Sequence, residues 1–325
     1  MKALVCNQYG PPESLVIEDQ HLADPGKGEV LVDIKAAGIN FPDVLMIAGK
    51  YQVKSPLPFV PGSEAAGVIS SVGDGVSRYA AGDRVIILPE GGAFAEQCVV
   101  HESRCLPMPE SMSFEQAAGF TVAYATSYHA LRQSTELKAG ETILVLGAAG
   151  GVGTTAVEIA NALGARVIAA ASSDQKLDFA RAAGADETIN YDSQNLKETV
   201  KELTNGKGVD VVYDPVGGEL AEQAYRCLAR HGRYLVIGFA SGEIPKFAVN
   251  IALLKEASII GVWWGPWTAR NPGLAAQNMS ELTEMVAGGK LNPRVSEIYR
   301  LDQYVEAFAS ITGRKAMGKV IFTVG

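Results

Sequence analysis

Thr142-Ile-Leu-Val-Leu-Gly-Ala-Ala-Gly-Gly-Val-Gly-Thr-Thr-Ala-Val-Glu-Ile-Ala-Asn-Ala-Leu-Gly164 is the stretch that decides the fold. An apolar run breaks into a glycine-rich turn and resumes with helical periodicity, which reads as a strand, a phosphate-sized loop and a helix start. Gly147, Gly150, Gly151 and Gly153 carry no Cβ. A pyrophosphate can therefore approach the amides of Gly151, Val152, Gly153 and Thr154 at the positive end of a helix dipole. A tight turn with no ligand is the alternative for such a loop standing alone.

The residues that follow remove the loop from isolation. Strand patterns at 166–171, 187–190, 209–213, 233–237 and 258–262 alternate with helical patterns at 155–163, 174–183 and 195–203. Strands separated by helices of this length predict right-handed βαβ units, a parallel doubly wound sheet and an α/β fold. In that setting the guest of the glycine loop is a dinucleotide.

At 325 residues the chain suits two domains. A hydrophobic share of 47% and a charged share of 20% describe a compact folded protein. The net charge of −8, with no dense Lys/Arg cluster, argues against a nucleic-acid surface. No apolar run reaches membrane-spanning length and a strand pattern begins at Lys2, so neither a membrane span nor a signal peptide is expected, and a cytoplasmic location is. Cys6, Cys98, Cys105 and Cys227 are scattered, which fits reduced structural thiols better than disulfides or a thiolate metal cluster. His21, His101, His129 and His231 share no ligand spacing and read as surface or cap residues. No Gly-x-Ser-x-Gly elbow or Cys/His pairing points to nucleophilic catalysis.

Residues 1 to about 110 hold short alternating segments, among them 29–36, 65–72, 84–88 and 93–100, divided by Gly, Pro and Asp. They predict an irregular antiparallel barrel. A helical stretch over 113–131 should lead into the nucleotide unit, and strand patterns at 294–299 and 318–324 should return to the first domain. The expected division is 1–120, completed by 265–325, and 121–264, with chemistry in the cleft between them.

The order of motifs resembles the medium-chain dehydrogenases/reductases, within them the zinc-free quinone oxidoreductase and zeta-crystallin branch. The residues that carry the resemblance are Ala37-Gly-Ile-Asn-Phe-Pro-Asp43, Gly49-Lys-Tyr51, Pro58-Phe-Val-Pro-Gly-Ser-Glu-Ala-Ala-Gly67, Val72-Gly73, Gly82-Asp-Arg-Val85, Gly92-Ala-Phe-Ala-Glu96, 147–153 and Ala183-Gly-Ala-Asp186. They span nearly the whole chain. The resemblance implies a GroES-like barrel domain beside a Rossmann domain.

Zinc enzymes of that family hold a catalytic metal with a Cys and a His at positions occupied here by Asn40 and Ser63. Neutral amide and hydroxyl oxygens do not replace a thiolate and an imidazole on zinc, so no metal is expected. The structural four-cysteine lobe is also missing, because Gly91-Gly92 follow Leu88 almost directly. The expected reaction is hydride transfer to an electrophilic acceptor, a quinone or another conjugated carbonyl. Alternatives are an enoyl-thioester or enone reductase, and a crystallin-like protein that binds NADPH without catalysis.

An NAD enzyme of this fold ends its second strand on a carboxylate for the ribose 2′-hydroxyl. Here that strand is followed by Ser172, Ser173 and, four residues on, Lys176, which suit the 2′-phosphate of NADPH. Asp174 is the complication, read either as a ribose partner or as the cap of the next helix.

The resemblance further implies Tyr191 and Arg314 at the adenosine pocket, and Thr121, Gly238, Phe239, Val262, Trp263 and Trp264 along the nicotinamide. Asn40, Asp43 and Tyr51 form the acceptor side, with Phe41, Ile47 and Phe59 as apolar lining and Asn250 facing the site. Core or dimer packing for the aromatics and a helix cap for Asn250 are the competing readings. A phenol in the context of Tyr51 is a plausible proton donor to a developing enolate. The apolar segment 257–264 would leave an unpaired sheet edge, so a homodimer is expected.

Overall fold

A computed structural model describes residues 1–324. Two compact units divide the chain, one of residues 1–122 with the segment from 293 onward and the other of residues 123–292. Residues 265–292, which the sequence reading places with the first unit, lie in the second.

The first unit opens with β1 (Lys2–Val5) paired to β2 (Val16–Asp19), followed by the long β3 (Glu29–Ile39), α1 (Phe41–Ile47) and β4 (Ala65–Val72). Then come β5 (Arg84–Ile87), β6 (Gln97–His101), β7 (Cys105–Pro107) and α2 (Phe114–Ala118). The helical stretch expected over 113–131 is interrupted. Ser113 caps α2, Gly119 ends it, and α3 (Thr121–His129) begins the crossing into the second unit before relaxing into a π-turn at 130–134.

The second unit contains β8 (Thr142–Leu146), α4 (Gly151–Ala162), β9 (Arg166–Ala171), α5 (Asp174–Ala182), β10 (Glu187–Asn190), α6 (Leu196–Leu203) and β11 (Val209–Asp214). It continues through α7 (Gly218–Arg226), β12 (Leu228–Val236), α8 (Asn250–Lys255), β13 (Ser258–Gly261), α9 (Trp264–Arg270) and α10 (Pro272–Ala287). Its six strands run parallel in the order β10-β9-β8-β11-β12-β13. Every residue of β8 is buried, as helices on both faces of a parallel sheet demand. Leu144, Leu146, Ile168, Val212, Tyr225 and Tyr234 belong to this unit's core.

The chain then returns through β14 (Val295–Arg300), α11 (Tyr304–Thr312) and β15 (Lys319–Thr323). β15 pairs antiparallel to β3, in a seven-stranded sheet of order β14-β15-β3-β4-β5-β7 with β6 also on β3. Phe308 of α11 and Phe322 of β15 meet Phe94 edge-on, with centroids 6.2 and 5.1 Å away, so the last residues complete the first unit's core.

Histidines and cysteines stand where packing puts them. His129 corrects the expectation of a surface or cap residue: it is 6% exposed and stacks on Trp267 at 4.1 Å. All four cysteines are free and buried. Among the described residues no helix is long and apolar enough to cross a membrane.

Candidate active site

In the second unit the glycine loop joins β8 to α4. Gly147 has φ 56°, a conformation open to glycine, and donates nothing to the helix; its carbonyl accepts from the Gly150 amide at 2.9 Å. The first helical bond runs from the Thr154 amide to the Gly150 carbonyl at 2.8 Å. No side chain caps α4, which leaves its opening amides as a cradle for an anion. Gly153 is fixed by packing: a Cβ there would sit 2.1 Å from the Gly147 carbonyl oxygen.

At the end of β9 the Lys176 ammonium donates to the Ser172 hydroxyl at 3.1 Å. The cap of α5 is Ser173, whose hydroxyl accepts from the Lys176 amide at 3.4 Å, and not Asp174. Asp174 occupies the first turn, exposed, and its carboxylate accepts from Asn190 Nδ2 at 2.9 Å. Tyr191 follows β10 with its amide bonded to the Ala171 carbonyl at 3.1 Å, so these groups cluster at the carboxyl ends of β9 and β10. Gly238 and Phe239 follow β12 and are half-buried; Val262 extends β13 by one bond, to the Val236 carbonyl at 3.0 Å. Trp263 is 50% exposed and Trp264 half-buried at the start of α9. Asn250 is exposed at the first position of α8; the residue at the cap is Val249, not Asn250.

The first unit encloses a charged cluster. Lys319 on β15 donates to the Asn40 Oδ1 (2.7 Å), Glu64 Oε1 (2.7 Å) and the Ile39 carbonyl (3.1 Å). Asn40 Nδ2 donates in turn to Glu64 Oε1 at 2.9 Å, and Glu64 Oε2 accepts from the Val122 amide at 2.9 Å. Glu64 and Lys319 were not singled out by sequence reading. Glu64 stands inside the quoted motif, but its partner lies 255 residues away and becomes visible only when β15 joins β3. The cluster also settles the fit of a metal. Both polar atoms of Asn40 and one Glu64 oxygen are bonded around a buried ammonium, and Ser63 offers only a hydroxyl, so the donor set does not suit zinc.

Asp43, fully buried, accepts from the Asn40 amide at 2.7 Å through Oδ2, while Oδ1 is buried with no partner. Burial pushes its carboxyl up to about 7, against the Asn40 amide and the Lys319 charge. The neutral form is therefore favoured in the fold. Its contribution to stability is full below the unfolded value near 4 and is lost as pH rises through about 7, by about 1.4 kcal/mol per pH unit between. Asp43→Asn keeps an acceptor for the Asn40 amide and cannot titrate. His129, held below its usual range by burial, acts with opposite sign, so the informative quantity is the difference in Tm between wild type and Asp43→Asn. That difference is expected to move against the wild type from pH 5 to 7.5. A constant difference would refute the assignment.

Tyr51 is half-buried in the loop after α1, its amide bonded to the Leu45 carbonyl at 3.1 Å, and its hydroxyl has no partner among the described residues. Phe59 packs on the core of the same unit and near Tyr9. Ile47 does not line an open surface as expected: it is 0% exposed, inside that core. Thr121, at the head of α3, has its hydroxyl oxygen buried and unpartnered. Arg314 follows α11 in the left-handed region at φ 55°.

Comparison with known proteins agrees with this architecture. Residues 26–110 match the alcohol dehydrogenase GroES-like domain and residues 151–281 the zinc-binding dehydrogenase domain. The chain is 41% identical to quinone oxidoreductase-like protein 2 homolog of Nematostella vectensis, over 98% of this chain and 88% of that one. It superimposes on the crystal structure of Escherichia coli quinone oxidoreductase complexed with NADPH with a TM-score of 0.93 at 33% identity, covering 99% and 100% of the two chains. The CurK enoyl reductase is similar at a TM-score of 0.89 and 28% identity, with 100% and 98% covered.

Proposed function

Since the chain belongs to the zinc-free quinone oxidoreductase branch of the medium-chain dehydrogenases/reductases, we propose that it reduces quinones or other conjugated carbonyl compounds with NADPH. The observation that supports this reading is that Asn40, which stands where zinc enzymes of the family have a metal ligand, is bonded instead to the buried pair of Glu64 and Lys319. An acceptor reduced here must already be electrophilic.

NADPH, when bound, supplies a hydride. The opening amides of α4, from Gly150 through Gly151, Val152 and Gly153, hold its pyrophosphate. Ser172, Ser173 and Lys176 take the 2′-phosphate, where a carboxylate would repel it. Tyr191 and Arg314 belong to the adenosine side, and Thr121, Gly238, Phe239, Val262, Trp263 and Trp264 to the nicotinamide side. Asn40, Asp43, Tyr51, Phe59 and Asn250 belong to the acceptor side. Of these Tyr51 offers a hydroxyl with no other partner, able to bind a carbonyl oxygen or hold the proton an enolate takes up. That hydroxyl, with the similarity to an enoyl reductase, favours reduction of an enone or enoyl thioester as the second reading.

One experiment separates them: NADPH oxidation against simple quinones, 2-enones and 2-enoyl thioesters, with Tyr51→Phe and Lys176→Ala alongside. Quinone turnover is expected, spared within twofold by Tyr51→Phe, while any enone turnover falls at least tenfold. Lys176→Ala should raise KM for NADPH at least tenfold and leave NADH nearly untouched; equal effects would sink the 2′-phosphate assignment. Tight NADPH binding without turnover across the panel would favour a non-catalytic binding protein.

The exposed apolar side chains of Val249, Leu253 and Leu254 at α8 and of Ile259 on the edge strand β13 support pairing with a second copy. Sedimentation at twice the chain mass is the expected result, and a monomer at micromolar concentration would exclude it. Four free, buried cysteines support the cytoplasm as the place of action.

A further inference from the structure

At the end of β11 a buried carboxylate joins two loops. Asp214, 1% exposed, accepts through Oδ1 from the amides of Val216 (2.7 Å) and Gly217 (2.9 Å), and through Oδ2 from the hydroxyl of Tyr234 on the neighbouring β12. Its backbone oxygen accepts from the amides of Ile237 at 2.9 Å and Gly238 at 3.3 Å. Ala240 and Ser241 donate to the carbonyls of Pro215 and Val216, at 3.0 and 2.8 Å, and Gly218 donates to that of Glu243 at 3.0 Å. The loop after β11 and the loop after β12 are thereby one hydrogen-bonded body. Its other side meets the glycine turn, since a Cβ on Gly147 would come within 2.9 Å of the Val216 side chain.

A turn alone does not need a buried charge. A serine or asparagine could cap the two amides without desolvating a carboxylate, whose ionised form burial disfavours and these three donors support. What the carboxylate adds is reach in two directions at once, from the loop of its own strand to the phenol of the next. The place of this link matters, because β8 and β11 are the neighbours at which strand order reverses. The guest of a doubly wound sheet straddles that reversal. Ser172 and Lys176 follow β9, on one side of β8, so the half of the dinucleotide beyond the pyrophosphate falls to the other side, over the loops after β11 and β12.

We infer that Asp214, locked by Tyr234, is a positioning residue for the nicotinamide half of the cofactor, setting the backbone of Val216 and of Gly238-Phe239 at fixed height beside the glycine turn. This rests on the NADPH reading above. The test is calorimetric titration with two ligands, NADPH and adenosine 2′,5′-bisphosphate, which lacks the nicotinamide half. Asp214→Ala should bind NADPH at least thirtyfold more weakly and the bisphosphate within twofold of wild type. Tyr234→Phe, which leaves the two amide bonds in place, should weaken NADPH about fivefold with the bisphosphate unchanged. Asp214→Asn can accept from the amides and donate to the Tyr234 oxygen, and should restore NADPH binding to within threefold. Equal losses on both ligands would mean a merely structural carboxylate and overturn the inference, as would unchanged NADPH affinity in Tyr234→Phe, the deciding variant if Asp214→Ala does not fold. Failure of the wild type to bind either ligand would instead refute the NADPH reading, and this inference with it.

Discussion

Gly153→Ala should abolish useful cofactor binding, raising the NADPH Kd at least a hundredfold, or about 2.8 kcal/mol. The added methyl would lie 2.1 Å from the Gly147 carbonyl oxygen and 2.8 Å from its carbon, both backbone atoms of the turn that opens the loop. No rotamer relieves such a contact. Either α4 must move away from β8 or the Gly147 peptide must turn, and each displaces the amides that would face a pyrophosphate. Overpacking of this order costs about 1–3 kcal/mol, and a domain of this size loses about 2–4 °C in Tm per kcal/mol. Gly150→Ala is the control. Its Cβ would stand 3.4 Å from the same oxygen, at a φ of −77° open to any residue, so Tm should stay within about 1 °C of wild type by that same scaling. Calorimetry and NADPH titration on both variants check the pair. A Gly153→Ala protein that binds like wild type would show that the loop holds no phosphate.

The glycine loop could be read from sequence because everything that shapes it is local: four buried apolar residues after Thr142, the four glycines of the loop and a helical period within a span of 23 positions. The limits of β9, β10 and β4 also match the expected ones, and in β9 the unbroken apolar run Val167-Ile-Ala-Ala-Ala171 is what announces a parallel strand. Errors arise where a neighbour in sequence competes for the same role. Ser173 and Asp174 both cap helices well, and which of them does so depends on Asn190, sixteen residues later, claiming the Asp174 carboxylate. His129 looked solvated because its stacking partner, Trp267, is supplied by a helix far along the chain. The residues that organise the candidate site are the least legible of all. Glu64 and Lys319, or Asp214 and Tyr234, are recognisable as pairs only after sheet order brings their strands together. Polar side chains carry no periodic signature. Their meaning lies in the partner.

Lys319→Met tests the most remote of those partnerships and should destabilise the first unit by about 3–5 kcal/mol. Removing the ammonium leaves the Glu64 carboxylate, 0% exposed, with only the Asn40 amide and the Val122 amide to offset its desolvation, and leaves Asn40 Oδ1 without its donor. Most of that loss is the penalty of an uncompensated buried charge and not the worth of the pair, so the second substitution should return much of it. In Glu64→Gln with Lys319→Met, a neutral amide still accepts from Val122 and nothing ionised remains between β3, β4 and β15. A double-mutant cycle in urea measures the coupling, expected above about 2 kcal/mol because the groups are in direct contact. Additive losses would mean that the ammonium and carboxylate are held independently. The cycle also reads on chemistry. A methionine cannot restore the two ligands that Asn40 and Ser63 replace, so neither variant should gain turnover when zinc is added. Zinc-dependent alcohol oxidation by Lys319→Met would show that the ammonium alone had been keeping a metal out.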